Sequence, residues 1–221
     1  MHFWQRLWDN LPYFLEVLIP AAGMTIRIAA GAFVLAIVLG LLLALLQTVK
    51  APVIHGVVRT YIEVIRGTPV LAQLFILYFG LAELGLQFTP IQAAILGLGC
   101  NGAAYMAEIF RAGIESIHAG QMEAALTVGM TPLAAMRWVV LPQTLNVVVP
   151  PTTNYSIALL KDTAIVSAVA APEIMFRARN LVMETYLSAQ IYILVAVMYL
   201  VMSLILAFIS RRLERRLTAS G

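Results

Sequence analysis

Residues 28–46 read IAAGAFVLAIVLGLLLALL, nineteen consecutive positions without a charge. About 20 mostly apolar residues are needed for a helix to cross the hydrocarbon of a bilayer. The run has no polar face, so it is not the half-buried helix of a soluble domain. The rest of the chain agrees: 62% of its 221 residues are hydrophobic and 11% are charged. A soluble domain carries about 25% charged residues, and a surface this apolar could not be covered in water. Further runs with few or no charges lie at 67–82, between Glu83 and Glu108, between Arg137 and Lys161, and between Glu184 and Arg211. The expected fold is an all-α integral membrane protein with five transmembrane helices. The fourth span is crowded by Pro142, Pro150 and Pro151, and the second could extend backwards.

Ahead of the first span, Trp4, Leu7, Trp8, Leu11, Phe14, Leu15 and Leu18 recur at helical spacing. Tryptophans on such a face suit the headgroup region, so residues 1–20 are expected to form an interfacial segment, the alternative being a frayed extension of the first span. Asp9, Pro12 and Glu16 interrupt any signal-peptide core, which leaves targeting to the retained helices. Basic residues set orientation. Lys50, Arg59, Arg66, Arg111, Arg137, Arg211, Arg212, Arg215 and Arg216 fall on one side under this topology. Arg6, Arg27, Lys161, Arg177 and Arg179 fall on the other. The richer side is expected to be cytoplasmic, with the amino terminus outside and the carboxyl terminus inside. Residues 21–212 form the transmembrane unit and 213–221 a cytoplasmic tail. The segment from Lys161 to Glu184 is expected to be external or partly re-entrant.

Several chemistries are excluded. Cys100 is the single cysteine, and His2, His55 and His118 are scattered, so neither a disulfide nor a metal site is expected. No basic cluster interleaved with aromatics marks a nucleic-acid surface. Gly97, Gly99 and Gly102 spell GxGxxG, but mid-span they read as close helix packing and not as a dinucleotide loop. No glycine is followed by lysine, so no phosphate-binding loop exists, and HExxH and GxSxG are absent.

The decisive motif lies between the third and fourth spans. Glu123-Ala124-Ala125 is followed after three residues by Gly129, with Met130 beside it, and nine residues after Gly129 by Val139-Val140-Leu141-Pro142. Small alanines let a short helix approach a partner closely. Glu123 near its start suits the helix dipole, Gly129 permits a turn closed to other residues, and Leu141-Pro142 ends the loop. This pattern, spanning 121–142, resembles the EAA loop of bacterial ABC importer permeases. Leu11-Pro12-Tyr13-Phe14-Leu15-Glu16, Thr25-Ile26-Arg27-Ile28, Arg66-Gly67-Thr68-Pro69 and the stretch 103–111 (AAYMAEIFR) are similar to the polar amino acid branch of that family. Lys161-Asp162-Thr163 resembles its KDT motif, although Ala164 and Ile165 replace the usual serine and leucine.

The resemblance implies a MetI-like fold with a cytoplasmic coupling helix, in the bacterial inner membrane. It implies two ABC ATPase subunits, a second permease subunit (identical or paralogous) and a periplasmic or surface amino-acid-binding protein. ATP and Mg would sit on the ATPase, with no cofactor on this chain and no chemistry performed by it. Glu123, Ala124, Ala125, Gly129, Met130, Leu141 and Pro142 would couple to the ATPase. Asp162 and Thr163 are candidates for the substrate path, because an ionisable group at the edge of a span is costly and a carboxylate can hold a substrate ammonium. Glu108 and Arg111 at i,i+3, and Arg111 and Glu115 at i,i+4, can pair on a helix surface. With Arg66 they form either a structural boundary cluster or a gate. Asn101, Tyr105 and Asn154 read as interhelical hydrogen-bonding groups. A stand-alone secondary carrier or channel is the alternative function, opposed by the loop and by five spans without a repeat. An intramembrane enzyme would need a nucleophile and base that are not found.

Overall fold

A computed structural model describes residues 2–49 and 51–218. Met1, Lys50 and residues 219–221 lie outside the described residues, as do the side chains of His2, Arg216, Leu217 and Thr218. Every regular element among the described residues is helical: α1 His2–Thr48, α2 Pro52–Gly67, α3 Val70–Glu83, α4 Pro90–Glu115, α5 Ala119–Thr127, α6 Pro132–Val169, α7 Ile174–Thr185 and α8 Ser188–Thr218.

α1 and α4 form the central pair. Gly31 faces Ile95, Gly99 faces Leu35, and Gly40 faces Ala103 and Met106, so both sets of numbers rise together and the helices are parallel. Small residues permit this approach: a Cβ on Gly99 would lie 2.6 Å from Leu35 Cδ2, and one on Gly102 would lie 2.7 Å from the Tyr155 hydroxyl and 2.8 Å from Ala36 Cβ. Gly97, the first glycine of GxGxxG, meets Leu74 of α3. The glycines of this motif therefore receive side chains from α1, α3 and α6, as close packing in a membrane requires.

Two parallel spans need a crossing between them. α2 and α3 are the described helices available, and they are bent by 107° at the break between Gly67 and Val70. Among the described residues four helices are long and apolar enough to cross alone, and this broken pair, counted as one span, makes five. The expected second span at 67–82 extends backwards to Pro52, as the sequence allowed, but it is broken near its start: Pro69 has no N–H to continue a helix and pushes Thr68 to an extended conformation (φ −119°, ψ 146°). Gln73 straddles the break, its amide nitrogen donating to Ile65 O (2.8 Å), Thr68 Oγ1 (2.8 Å) and Thr68 O (3.2 Å). α6 returns antiparallel to α4, with Val148 against Gly113 and Tyr155 against Gly102.

The other corrections concern continuity. Residues 2–20 are continuous with the first span. α1 runs unbroken through Pro12 and Pro20 for 47 residues, about 70 Å at ~1.5 Å per residue. Its Phe14, Leu18 and Ala21 are buried against Ile174 and Leu181 of α7 and Ile191 and Val195 of α8, while Trp4 and Trp8 stay exposed. The tail boundary at 212/213 falls inside α8. Leu141-Pro142, expected to end the loop and open the fourth span, lies inside that span, which already begins at Pro132. α6 widens into a π turn at Met136–Val140, with the Leu141 N–H reaching back to Met136 O. The wider turn accommodates Pro142, which has no N–H and would clash in a regular turn. Hydroxyls occupy carbonyls along the helix: Thr144 donates to Val140 O (3.0 Å) and Thr153 to Pro150 O (2.9 Å). The segment after Asp162 is a 3-10 turn, Thr163–Val169, whose Val166 and Val169 are buried against α1, α3 and α4 residues.

Candidate functional site: coupling loop and polar cavities

The loop between α4 and α6 begins with a cap. His118 Nδ1 accepts from the Gly120 N–H at 3.0 Å, starting α5 at Ala119. Glu123 is therefore the fifth residue of the helix, beyond the first turn where the dipole acts. The helix dipole, expected to favour a carboxylate there, does not account for it. The end of α5 explains the motif's spacing. Met130 N–H donates to Ala125 O (3.1 Å) and Gly129 N–H to Leu126 O (3.0 Å), the paired bonds of a Schellman cap. Its left-handed position is Gly129, at φ +86°, and a Cβ there would meet nothing within 4 Å. Glycine is needed for its backbone, not for space. Thr131 Oγ1 then accepts from Ala134 N–H (3.3 Å), with Pro132 in the first turn, and α6 begins.

Of the EAA triplet, Ala125 is buried, while Glu123 and Ala124 face outward. Around them stand uncovered apolar side chains, Val128 (78% exposed), Leu133 (79%) and Trp138 (68%), with Leu126, Met136 and Leu141 beside them. Leu126 and Val128 belong to the loop, while Leu133, Met136, Trp138 and Leu141 lie on the first turns of α6. Gln143 ties the loop to α6, donating to Val139 O at 2.9 Å and to Gln121 Oε1 at 3.4 Å.

Polar cavities lie along α4. One of about 540 Å³ is lined by His55, Arg59, Glu63, Arg66, Glu108, Arg111 and Glu115. Arg111 binds Glu108 at 3.0 Å and Glu115 at 2.7 Å, and Arg66 reaches Glu108 at 3.5 Å. Another, about 420 Å³, is bounded by Thr68, Pro69, Val70, Asn101, Tyr105, Tyr155, Ala158 and Asp162. Asp162 is half-buried, and no cation stands within ion-pairing distance of it among the described residues. Its neighbour Thr163 does not share this cavity: it is fully buried and donates to Leu160 O at 2.6 Å.

Residues 36–219 match the family described as binding-protein-dependent transport system inner membrane component. The chain belongs to this family. It is 35% identical over 216 residues to the glutamine transport system permease protein GlnP of Escherichia coli, covering 97% of each chain. It is 36% identical over 214 residues to the probable amino-acid permease protein YxeN of Bacillus subtilis, covering 96% of each. A crystal structure of an amino acid ABC transporter with histidines superimposes with a TM-score of 0.85 at 36% identity, covering 96% of this chain and 97% of that one.

Two side chains of this permease do more than their sequence positions suggest. Asn101 does bond between helices, donating to Gln73 Oε1 at 3.0 Å, yet it also lines the Asp162 cavity. Tyr105 stacks on Tyr155 (ring centroids 5.8 Å apart) in the same wall. Their polarity at membrane depth is visible in the sequence, but which way they face depends on how α4 rotates against α3 and α6. A third group, Glu173, carries no sequence signal. It is fully buried and accepts from Met175 N–H and Phe176 N–H (both 2.8 Å) and from the Tyr199 hydroxyl (2.7 Å). Burial pushes its carboxyl above the usual carboxylate range, opposed by these hydrogen bonds. Beside it Thr25 Oγ1 accepts from Ile174 N–H at 3.2 Å, so α1, α7 and α8 meet at one polar junction.

Proposed function

We propose that this permease moves polar amino acids into the bacterial cell across the inner membrane, powered by two ABC ATPase subunits docked on residues 121–142. The observation that carries this reading is the coupling loop: a short capped helix, closed by Gly129, presenting an uncovered apolar surface. ATP and Mg act on the ATPases and not on this chain. A second permease subunit completes the pathway, and a binding protein delivers the amino acid from outside. The arginine-rich end of the bundle faces the cytoplasm, by the excess of basic residues there. Glu123, Ala124, Ala125, Met130, Leu141 and Pro142 shape the docking surface.

The cavity at Asp162 is the proposed stopping place of the cargo. At about 420 Å³ it falls in the ordinary range for small-molecule sites, about 300–1,000 Å³. Asp162 offers an unpaired carboxylate to the ammonium of an amino acid, with the Asn101 amide and the tyrosine hydroxyls around it. ATP binding and hydrolysis shift the population between arrangements that bind the cargo differently.

Affinity isolation of the chain from membranes in mild detergent tests the assembly. A P-loop ATPase is expected at about equal stoichiometry (two per pair of permease subunits). The chain emerging alone under every gentle condition would overturn the importer reading. For the cavity, Asp162→Asn should lower ATP-driven uptake about tenfold or more, the loss of one charged contact to the cargo, while the ATPase still co-purifies. Normal uptake would make Asp162 a boundary residue.

A further inference from the structure

A contact joins the linings of the two cavities. Arg66 lines the charged cavity and Tyr105 the Asp162 cavity. The Arg66 guanidinium stands over the Tyr105 ring, 5.5 Å from its centroid, and reaches Glu108 at 3.5 Å. We propose that Arg66 is the latch of a gate between the cavities, closed when it bridges Tyr105 and Glu108. This deepens, and rests on, the proposed transport function, in which cargo leaves the Asp162 cavity toward the cytoplasm.

Three features suit Arg66 to this part. Its side chain is 45% exposed and that of Glu108 29%, and an ion pair this wet is weak. Opening leaves no charge stranded, because Glu108 keeps Arg111 at 3.0 Å and Arg66 remains in the polar cavity. Arg66 also ends α2, just before the 107° bend. Gln73 bonds across that bend to Ile65 and Thr68 and accepts from Asn101 on α4. Any shift of α3 against α4 is therefore passed to the turn that carries Arg66. A purely structural ion pair has no need of a seat beside a break in the helix.

The test reads access to the Asp162 cavity from the cytoplasmic side. The assembled transporter, carrying Cys100→Ser and the reporter Ala158→Cys, is placed in inside-out vesicles and treated with a membrane-impermeant maleimide. Ala158 lines the Asp162 cavity, so slow labelling is expected for the parent. Arg66→Ala and Glu108→Gln should label about fivefold faster, the effect of losing one partly exposed ion pair. Tyr105→Phe keeps the ring and should stay slow. Equal rates in all four proteins overturn the latch, and so does a Tyr105→Phe protein as fast as Arg66→Ala. Glu108→Gln is nearly isosteric and decides the matter if Arg66→Ala fails to assemble. Absence of both ATPase association and uptake in the parent would instead sink the transport reading, leaving the labelling rates to judge the latch.

Discussion

Gly129→Val is expected to abolish ATP-driven uptake while the chain still inserts. The residue sits at φ +86° with open space around it. A left-handed conformation costs an ordinary L-residue about 1–2 kcal/mol, and a β-branched one more. Valine will therefore move to negative φ. That breaks the bonds from Gly129 and Met130 to Leu126 and Ala125, and α5 loses its fixed angle to α6. The apolar set at Val128, Leu133 and Trp138 is then presented at the wrong place. Every span lies outside this turn, so membrane insertion is unaffected. Gly129→Asn is the control, since asparagine tolerates the left-handed region, and it should keep most of the uptake. Uptake and ATPase co-purification measured side by side decide the point. Normal uptake by the valine protein would sink the docking reading.

Glu173→Ala is expected to weaken the end of the bundle where α1, α7 and α8 meet. It removes the cap of α7, worth about 1 kcal/mol. It also removes the 2.7 Å carboxylate acceptor of the Tyr199 hydroxyl, which keeps Thr25 and Thr163 as hydrogen-bonding neighbours, at a cost of about 1.5–3 kcal/mol for a lost hydrogen bond to a charged group. A total of about 3 kcal/mol should lower the unfolding midpoint of the detergent-solubilised protein by several degrees. Glu173→Gln keeps one acceptor oxygen and should lose about half as much. An alanine protein as stable as the parent would show that the junction of α1, α7 and α8 is held by its apolar contacts alone.

The spans are legible in the sequence because the requirement for a helix in lipid is simple: enough apolar length and few charges. Residues 28–46 meet it without help from any neighbour. The coupling loop is legible for a different reason. Its register is local: a Schellman cap needs glycine four residues after the helix position that supplies the outer carbonyl, and Ala125 and Gly129 keep that interval. Glu123 can be located but not explained from the sequence, because the start of α5 depends on the His118 cap, which no spacing rule announces. The break at Thr68-Pro69 is present as a proline, yet it reads as a helix start because the residues before it carry charge.

What the sequence determined by itself was the class of the molecule, the placing of its apolar helices and the position of its EAA-type loop, since each follows from short-range periodicity, length or backbone conformation. What only the tertiary structure decided was which polar groups meet. Asp162 and Tyr105 share a cavity, Arg66 on α2 reaches Glu108 on α4, the Ile174 N–H finds Thr25 and Glu173 finds Tyr199. Those encounters are set by the rotation and crossing of helices packed on small residues such as Gly99 and Gly102. That rotation is a property of the whole bundle, and no window of the chain contains it.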